Sequence, residues 1–227
     1  MPFKALIFDF DGTVSDSSEG IFASANTALA ELGFPTLDMP TLRKFLGPPL
    51  QQSFMDECGM TLEESRRAIA VYRREYDAGN CFRLRIYDGM EALLLHLRKA
   101  GIKTAVASSK PTIYLEKILR GIGIRDLFDT VQGVGLDRLE SRKHDLIAAA
   151  AARLGVPVQA CLMVGDRRFD IEGANALGMR SVGVLYGYGS REELERAGAT
   201  WLAQTCGEIE NIAAQLLQNL TEKVNFS

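Results

Sequence analysis

Two acidic residues separated by one position follow a short apolar run near the N-terminus. Residues 5–8 read Ala-Leu-Ile-Phe, and residues 9–13 read Asp-Phe-Asp-Gly-Thr. An apolar run bounded by glycine is typical of a buried strand in a parallel sheet. Charge is costly to bury without a partner, and open α/β sheets bind ligands at the carboxyl ends of their strands, so Asp9 and Asp11 are candidate ligand-binding residues. A plain acidic Asp-Gly turn is the alternative.

Two further groups lie at the ends of predicted elements. Ser108 closes a short apolar strand, and Ser109 follows it. Lys143 lies near the start of a helix predicted over residues 141–154. Taken singly, Ser108 could be a turn serine and Lys143 a surface lysine.

A fourth group contains two more acids. Asp166 and Asp170 lie one helical turn apart, directly after an apolar strand predicted at residues 161–164. Alone, they could be acids that the helix dipole stabilises at a helix N-terminus. Four such groups at strand ends and helix starts favour a single site, since ligands of open α/β sheets bind beyond the carboxyl ends of the strands.

The elements that carry these residues alternate between helix and strand beyond residue 88. Repeated alternation predicts an α/β fold with a Rossmann-like, doubly wound parallel sheet. Residues 16–80, in contrast, show apolar residues at helical spacing and read as four helices with no strand. We therefore predict an α/β core formed by residues 1–15 and 81–227. A small all-helical cap domain, residues 16–80, is inserted after the first strand.

Local signals place the helices within the predicted cap. Asp16 or Ser17 could cap the first helix. Pro40 indicates a loop, followed by a short helix. Thr61 and Glu64 form a capping-box signature before a longer helix.

The order and types of the four groups resemble the four motifs of the haloacid dehalogenase superfamily of phosphotransferases, and the resemblance covers essentially the whole chain. A helical cap between the first and second motifs is similar to the phosphoglycolate phosphatase group. The resemblance implies a Mg²⁺-dependent phosphatase that hydrolyses small phosphomonoesters through an aspartyl-phosphate intermediate. Three enzymatic alternatives remain within the same superfamily: a 5′-nucleotidase acting on nucleoside monophosphates, a pyrophosphatase and a phosphomutase. A non-catalytic phosphate-binding module is a further alternative, and such a module would be expected to lack one of the acids.

The resemblance also implies a role for each position. Asp9 is the expected nucleophile, Asp11 the general acid and base, and Lys143 the cation that offsets developing charge, with Arg142 as a weaker candidate for the last role. Substrate binding is expected from Gly12, Thr13, Ser108 and Ser109. Mg²⁺ is the implied cofactor, with Asp9, Asp11, Asp166 and Asp170 around it, Asp11 through its backbone carbonyl.

One loop of the predicted cap contains candidate substrate contacts. Residues 47–49 read Gly-Pro-Pro, a stiff break between helices that we expect to face the substrate. The alternative is that this stretch only ends a helix. Arg43 and Lys44 precede it and could bind a second anionic group, such as the carboxylate of phosphoglycolate.

Composition narrows the class of function. The 227 residues carry a formal net charge of -3, which gives no support for binding to a nucleic-acid polymer. The four cysteines contain no Cys-x-x-Cys pair, which favours structural thiols in a reducing compartment over a zinc site. The sequence shows no signal peptide and no apolar run that could span a membrane, so we expect a cytoplasmic enzyme acting on a small phosphorylated metabolite. Both a monomer and a homodimer remain open.

Overall fold

The computed structural model describes residues 3–136 and 142–224, with side chains described up to residue 217. Its strands are β1 (Ala5–Phe8), β2 (Ser15–Asp16), β3 (Arg85–Ile86), β4 (Lys103–Pro111), β5 (Thr130–Val134), β6 (Cys161–Gly165), β7 (Arg180–Val184) and β8 (Trp201–Ala203). Six of these strands form one sheet in the order β5-β4-β1-β6-β7-β8, and every neighbouring pair in it is parallel.

Helices connect the strands of this sheet. They are α1 (Ser18–Glu31), α2 (Met39–Arg43), α3 (Leu50–Cys58), α4 (Leu62–Ala78), α5 (Met90–Lys99), α6 (Thr112–Gly121), α7 (Lys143–Leu154), α8 (Arg168–Ala176), α9 (Arg191–Arg196) and α10 (Cys206–Val224). From α5 onward helices alternate with strands, which confirms the predicted doubly wound α/β fold.

Strand β1 lies at the centre of the core because helices cover both faces of the sheet. Its four residues are fully buried. Leu6 and Phe8 belong to one apolar cluster with side chains of α5, α6 and α10, whereas Ala5 and Ile7 belong to a second cluster with side chains of α7 and α8. Successive side chains of a strand point to opposite faces, so an uninterrupted apolar strand is buried only between two helical layers.

Two expectations about residues 16–80 are wrong in detail. Asp16 is in a strand: β2 pairs with β3 in an antiparallel ribbon that joins the two connections between the sheet and residues 18–78. A two-residue strand carries no periodic signal, so the sequence pattern could not predict it. Helix α2 begins at Met39 and contains Pro40, whereas the sequence predicts a loop at this proline. Proline fits the first turn of a helix because its missing N–H has no partner there.

Other signals in this region are confirmed. Thr61 Oγ1 accepts the Glu64 N–H at 3.3 Å, and Glu64 Oε2 accepts the Thr61 N–H at 2.8 Å, which completes the capping box of α4. Side chains of α1 and α4 belong to the same apolar cluster as Leu6 and Phe8 of the sheet. The division into two domains stays a prediction, and "cap" is used below for residues 16–80. No helix within residues 3–136 and 142–224 has the length and apolar character that crossing a membrane requires.

Candidate active site

The candidate residues meet at the carboxyl end of the central strands. Asp9 follows β1, Ser108 lies in β4 and Asp166 follows β6, and β1 lies between β4 and β6 in the sheet. Phe10, which separates Asp9 from Asp11 in the sequence, is fully buried in the core. The three strand ends therefore bring residues that are far apart in the sequence to one edge of the sheet.

Three carboxylates form a compact cluster at this edge. One oxygen each from Asp9, Asp166 and Asp170 lies within 4.8 Å of the other two. Asp166 and Asp170 are buried, with exposures of 0% and 1%. Burial, and then the charges of Asp170 and Asp9, raise the pKa of Asp166 well above its usual value. Burial likewise raises the pKa of Asp170 to about 6, against the opposing effect of Lys143.

Hydrogen bonds and close backbone contacts fix the position of the Asp166 side chain. Its Oδ1 accepts the Thr13 hydroxyl at 3.1 Å, and its Oδ2 accepts the Tyr188 N–H at 2.9 Å. A Cβ atom at Gly12 or Gly187 would collide with the Asp166 side chain, and Gly12 also has a positive φ of 83°. Glycine is required at Gly12 for both reasons. Gly12 and Thr13 lie against Asp166, and their expected binding of substrate stays a prediction.

Lys143 is the cation closest to the cluster. Its ammonium group lies 2.7 Å from Asp9 Oδ1 and 2.6 Å from Asp170 Oδ1, and its side chain is 8% exposed. Burial alone would lower the pKa of Lys143, but Asp170 and Asp9 raise it well above its usual value. Arg142, the weaker candidate for this role, is exposed.

The donor set fits a hard divalent cation. Three carboxylates share one ammonium group, so negative charge is in excess at a buried position. Carboxylate oxygens are the ligands that Mg²⁺ prefers, and it is bound through only one or two of them together with water and phosphate. The cluster of Asp9, Asp166 and Asp170 offers enough carboxylate oxygens to hold such an ion.

Asp11 has two partners on the same oxygen. Lys110 Nζ lies 3.2 Å from Asp11 Oδ1, and the Ser17 hydroxyl donates to the same atom. The Lys110 side chain is 7% exposed and also donates to the Tyr76 hydroxyl of α4 at 2.7 Å. Sequence reasoning did not select Lys110, although it directly follows Ser109; a lysine beside proline at the end of a strand gave no sign that it would be buried.

A cavity of about 150 Å³ lies above these residues, between the sheet and the cap. The sheet side contributes Asp9, Asp11, Ser108, Ser109, Lys110, Lys143 and Asp170, and the cap side contributes residues 47–51 with Ile69, Tyr72, Arg73 and Tyr76 of α4. The Gly-Pro-Pro stretch therefore faces the cavity, as expected. Asp166, Gly12 and Thr13 are not among the residues that line it.

The structure contradicts the expectation for Arg43 and Lys44. Both are exposed and neither lines the cavity. Lys44 forms a surface ion pair with Glu57 at 2.7 Å. The cap arginine at the cavity is Arg73. Charged residues occur along most of α4, so the sequence does not distinguish Arg73 from its neighbours.

Tyr188 connects the acid cluster to the ribbon that leads into the cap. Its backbone N–H binds Asp166, and its hydroxyl accepts the Ser17 N–H at 3.0 Å and donates to Asp16 Oδ1 at 3.1 Å. Burial would raise the pKa of Asp16, but hydrogen bonds from Ser18 and Tyr188 lower it. Residues 186–190 read Tyr-Gly-Tyr-Gly-Ser, a composition that is typical of a turn and does not predict these contacts.

Comparisons with known proteins agree with this geometry. The model of the family "Haloacid dehalogenase-like hydrolase" matches residues 6–184. A 5′-nucleotidase of Pseudomonas aeruginosa is 36% identical over 192 residues, which cover 85% of this chain and 87% of that protein. A phosphoglycolate phosphatase of Colwellia psychrerythraea is 30% identical over 216 residues, covering 91% of this chain and 95% of that protein. The crystal structure of a "predicted phosphatase" from Clostridium acetobutylicum superposes with a TM-score of 0.89 at 37% identity, covering 95% of this chain and 100% of that one.

Proposed function

The chain belongs to the haloacid dehalogenase-like hydrolase family and is a phosphatase, and we propose that it hydrolyses small phosphomonoesters, phosphoglycolate foremost, through an aspartyl-phosphate intermediate in a Mg²⁺-dependent reaction. One observation carries the proposal. The carboxylates of Asp9 and Asp11 and the hydroxyl-bearing Ser108 line one small cavity together with Lys143.

Asp9 is the proposed nucleophile. A carboxylate oxygen of Asp9 attacks phosphorus, a new P–O bond forms, and the ester P–O bond breaks with its electron pair moving to the leaving alkoxide. Water then cleaves the aspartyl-phosphate and releases inorganic phosphate. Splitting the reaction in this way replaces one difficult displacement by two easier ones.

Asp11 is the proposed general acid and base. It donates a proton to the leaving alkoxide in the first step and takes one from the attacking water in the second, so it returns to its starting state. Lys110 and Ser17 support this role because both contact Asp11 Oδ1 and fix the carboxyl group at the edge of the cavity.

Lys143 and Ser108 are proposed to bind the transferring group. Lys143 brings a buried positive charge beside Asp9, where negative charge develops on the phosphoryl oxygens. Ser108 is buried at the base of the cavity, its Oγ accepting the Lys110 N–H at 3.3 Å, so its own hydroxyl proton can be donated to a phosphoryl oxygen. Ser109 lines the same wall.

Asp9, Asp166 and Asp170 would hold Mg²⁺ through their carboxylates, with the backbone carbonyl of Asp11. When bound, the ion supplies positive charge that offsets the repulsion between the Asp9 carboxylate and an anionic phosphate ester. The excess of carboxylates over cations in the cluster supports this assignment.

The size of the cavity favours phosphoglycolate over a nucleotide. A cavity of about 150 Å³ is comparable with one that accommodates benzene. Phosphoglycolate has two carbons beyond its phosphate, whereas a nucleoside monophosphate would require the cap to move away. The 5′-nucleotidase alternative is retained because of the similarity to the Pseudomonas aeruginosa protein. The four thiols are free, which supports the proposed cytoplasmic location.

The test is a comparison of phosphate release from phosphoglycolate, AMP, pyrophosphate and glucose 1-phosphate, with Mg²⁺ and with excess chelator. We expect phosphoglycolate to give the highest kcat/KM, and chelator to abolish turnover. Acid quenching with ³²P-labelled substrate should trap label on the wild type but not on Asp9→Asn.

A higher kcat/KM for AMP would move the assignment to a 5′-nucleotidase. Isomerised sugar phosphate without phosphate release would indicate a mutase. Turnover in Asp9→Asn at the wild-type rate would rule out the covalent mechanism.

A further inference from the structure

Most positive charges around the cavity are already neutralised by the protein. Lys143 pairs with Asp9 and Asp170 at 2.7 and 2.6 Å, Lys110 pairs with Asp11 at 3.2 Å, and Arg167 pairs with Glu193 at 2.9 Å. Arg167 also donates to the Leu46 carbonyl of the cap. These cations therefore have limited capacity to bind a further anion without giving up a partner.

Arg73 differs from them. It lines the same cavity, is half-buried, and has no hydrogen bond or ion pair to any residue of the described ranges 3–136 and 142–217. Its neighbour Arg74 turns outward and binds Glu31 at 2.5 Å and Glu75 at 2.9 Å. Consecutive helical residues point about 100° apart, and here Arg73 faces the cavity whereas Arg74 is directed toward Glu31 and Glu75.

The position of Arg73 on α4 is fixed by its neighbours. Ile69, Tyr72 and Tyr76 occupy the same face of the helix and also line the cavity. Tyr72 and Tyr76 are buried and stacked, with ring centroids 5.4 Å apart. Burial raises the pKa of Tyr114 in α6, and the positive charge of Arg73 opposes part of this rise. Arg73 therefore lies in the wall of the cavity, on the side formed by α4.

The two sides of the cavity must contact different parts of the substrate. The transferring phosphoryl group must lie against Asp9, Ser108 and Lys143 on the sheet side. The leaving group must then occupy the space toward the cap, where Arg73 lies. A guanidinium group binds carboxylate and phosphate through two parallel hydrogen bonds.

We propose that Arg73 binds a second anionic group on the leaving group, so that the preferred substrates are phosphomonoesters whose leaving group carries a carboxylate or another phosphate. This inference rests on the proposed phosphomonoester hydrolysis and assigns the selectivity within it. Arg73 takes the part that the sequence had assigned to Arg43 and Lys44.

The test uses substrates that differ only in this group. Phosphoglycolate carries a carboxylate, ethane-1,2-diyl bisphosphate a second phosphate, and 2-hydroxyethyl phosphate a neutral hydroxyl at the same place. The variants are Arg73→Gln and Arg73→Lys, with Arg74→Gln as the matched control from the adjacent, outward-facing position. Thermal unfolding verifies that each variant is folded.

Arg73→Gln should lower kcat/KM for the substrates that carry a second anion by roughly 10- to 100-fold, because a hydrogen-bonded ion pair is lost. For 2-hydroxyethyl phosphate the change should stay within about threefold. Arg73→Lys should recover part of the loss, and Arg74→Gln should leave all three substrates unchanged. The substrate on which the loss is larger identifies carboxylate or phosphate as the bound group.

Equal losses on the charged and the neutral substrate would overturn the role of Arg73 while leaving the phosphatase assignment intact. A wild-type protein that hydrolyses none of the three would overturn the proposed function, and this inference with it.

Discussion

The ammonium group of Lys110 lies 3.2 Å from Asp11 Oδ1 and donates to the Tyr76 hydroxyl at 2.7 Å. It also lies 4.7 Å from the centroid of the Tyr76 ring. A buried ammonium group is stable only with partners, and here one partner belongs to the sheet and the other to the cap. The candidate general acid is thus connected to α4 through a single side chain.

Lys110→Met should lower kcat for alkyl phosphates by about two orders of magnitude, because Asp11 loses the contact that orients its carboxyl group, and small misplacements of a reacting group have effects of that size. Tyr76→Phe keeps the ring and removes only the hydroxyl, so a smaller loss is expected. Steady-state kinetics on 2-hydroxyethyl phosphate measures both. Lys117→Met, which removes a surface pair with Asp77, is the control. Wild-type kcat in Lys110→Met would show that Asp11 needs no support from this side chain.

The sequence predicted the residues at strand ends more reliably than those at contacts between elements. Asp9 and Asp166 follow apolar strands and Ser108 lies in one. Parallel strands bring their carboxyl ends to one edge of the sheet, independently of how the other elements pack. Lys110 and Tyr188 depend on contacts with the cap and its connection, which no local pattern specifies.

The cap was predicted in outline but not in orientation. Helical periodicity placed the helices, but which face of α4 turns toward the sheet depends on how two layers pack. Arg73 and Arg74 are adjacent and chemically identical, yet one lines the cavity and the other binds Glu31 at the surface.

The acid cluster should destabilise the metal-free protein as the pH rises. The pKa of Asp170 is raised from 3.8 to about 6 in the folded protein, so between these values the folded state binds more protons than the unfolded state. The free energy of unfolding therefore falls as the pH rises from about 4 to above 6, by an amount of the order of 2–3 kcal/mol for this group. Asp166 shifts in the same direction.

Asp166→Asn should therefore raise Tm by a few degrees in chelator at pH 7.5 and abolish the increase in Tm that Mg²⁺ gives the wild type. The substitution can keep both contacts of this side chain, because the amide oxygen can accept the Tyr188 N–H and the amide nitrogen can donate to the Thr13 hydroxyl oxygen. Thermal unfolding between pH 4.5 and 8 measures the difference, with exposed Asp126→Asn as the control. A lower Tm for Asp166→Asn in chelator would contradict this account of the cluster.

Tyr188 should link the acid cluster to the connection with the cap. Tyr188→Phe keeps the backbone N–H that binds Asp166 but removes the hydroxyl that binds Ser17 and Asp16. We expect hydrogen exchange at the Ser17 amide to become roughly tenfold faster, equivalent to the loss of about one hydrogen bond, with Mg²⁺ affinity little changed. Tyr87→Phe is the control, because the structure shows no hydrogen bond of the Tyr87 hydroxyl to any described residue. Unchanged exchange at Ser17 would show that the Tyr188 hydroxyl does not stabilise this connection to the cap.

Asp11→Asn should reveal its role through the leaving group. An amide cannot donate a carboxylic proton to an alkoxide, so kcat for 2-hydroxyethyl phosphate should fall by about 10²- to 10⁴-fold. p-Nitrophenyl phosphate has an acidic leaving group that departs without protonation, so formation of the aspartyl-phosphate should be much less affected. Pre-steady-state kinetics should then show a burst of p-nitrophenol followed by slow turnover, because the same variant lacks the base for the second step. Equal slowing of the first step for both substrates, with no burst, would mean that Asp11 does not transfer the proton to the leaving group.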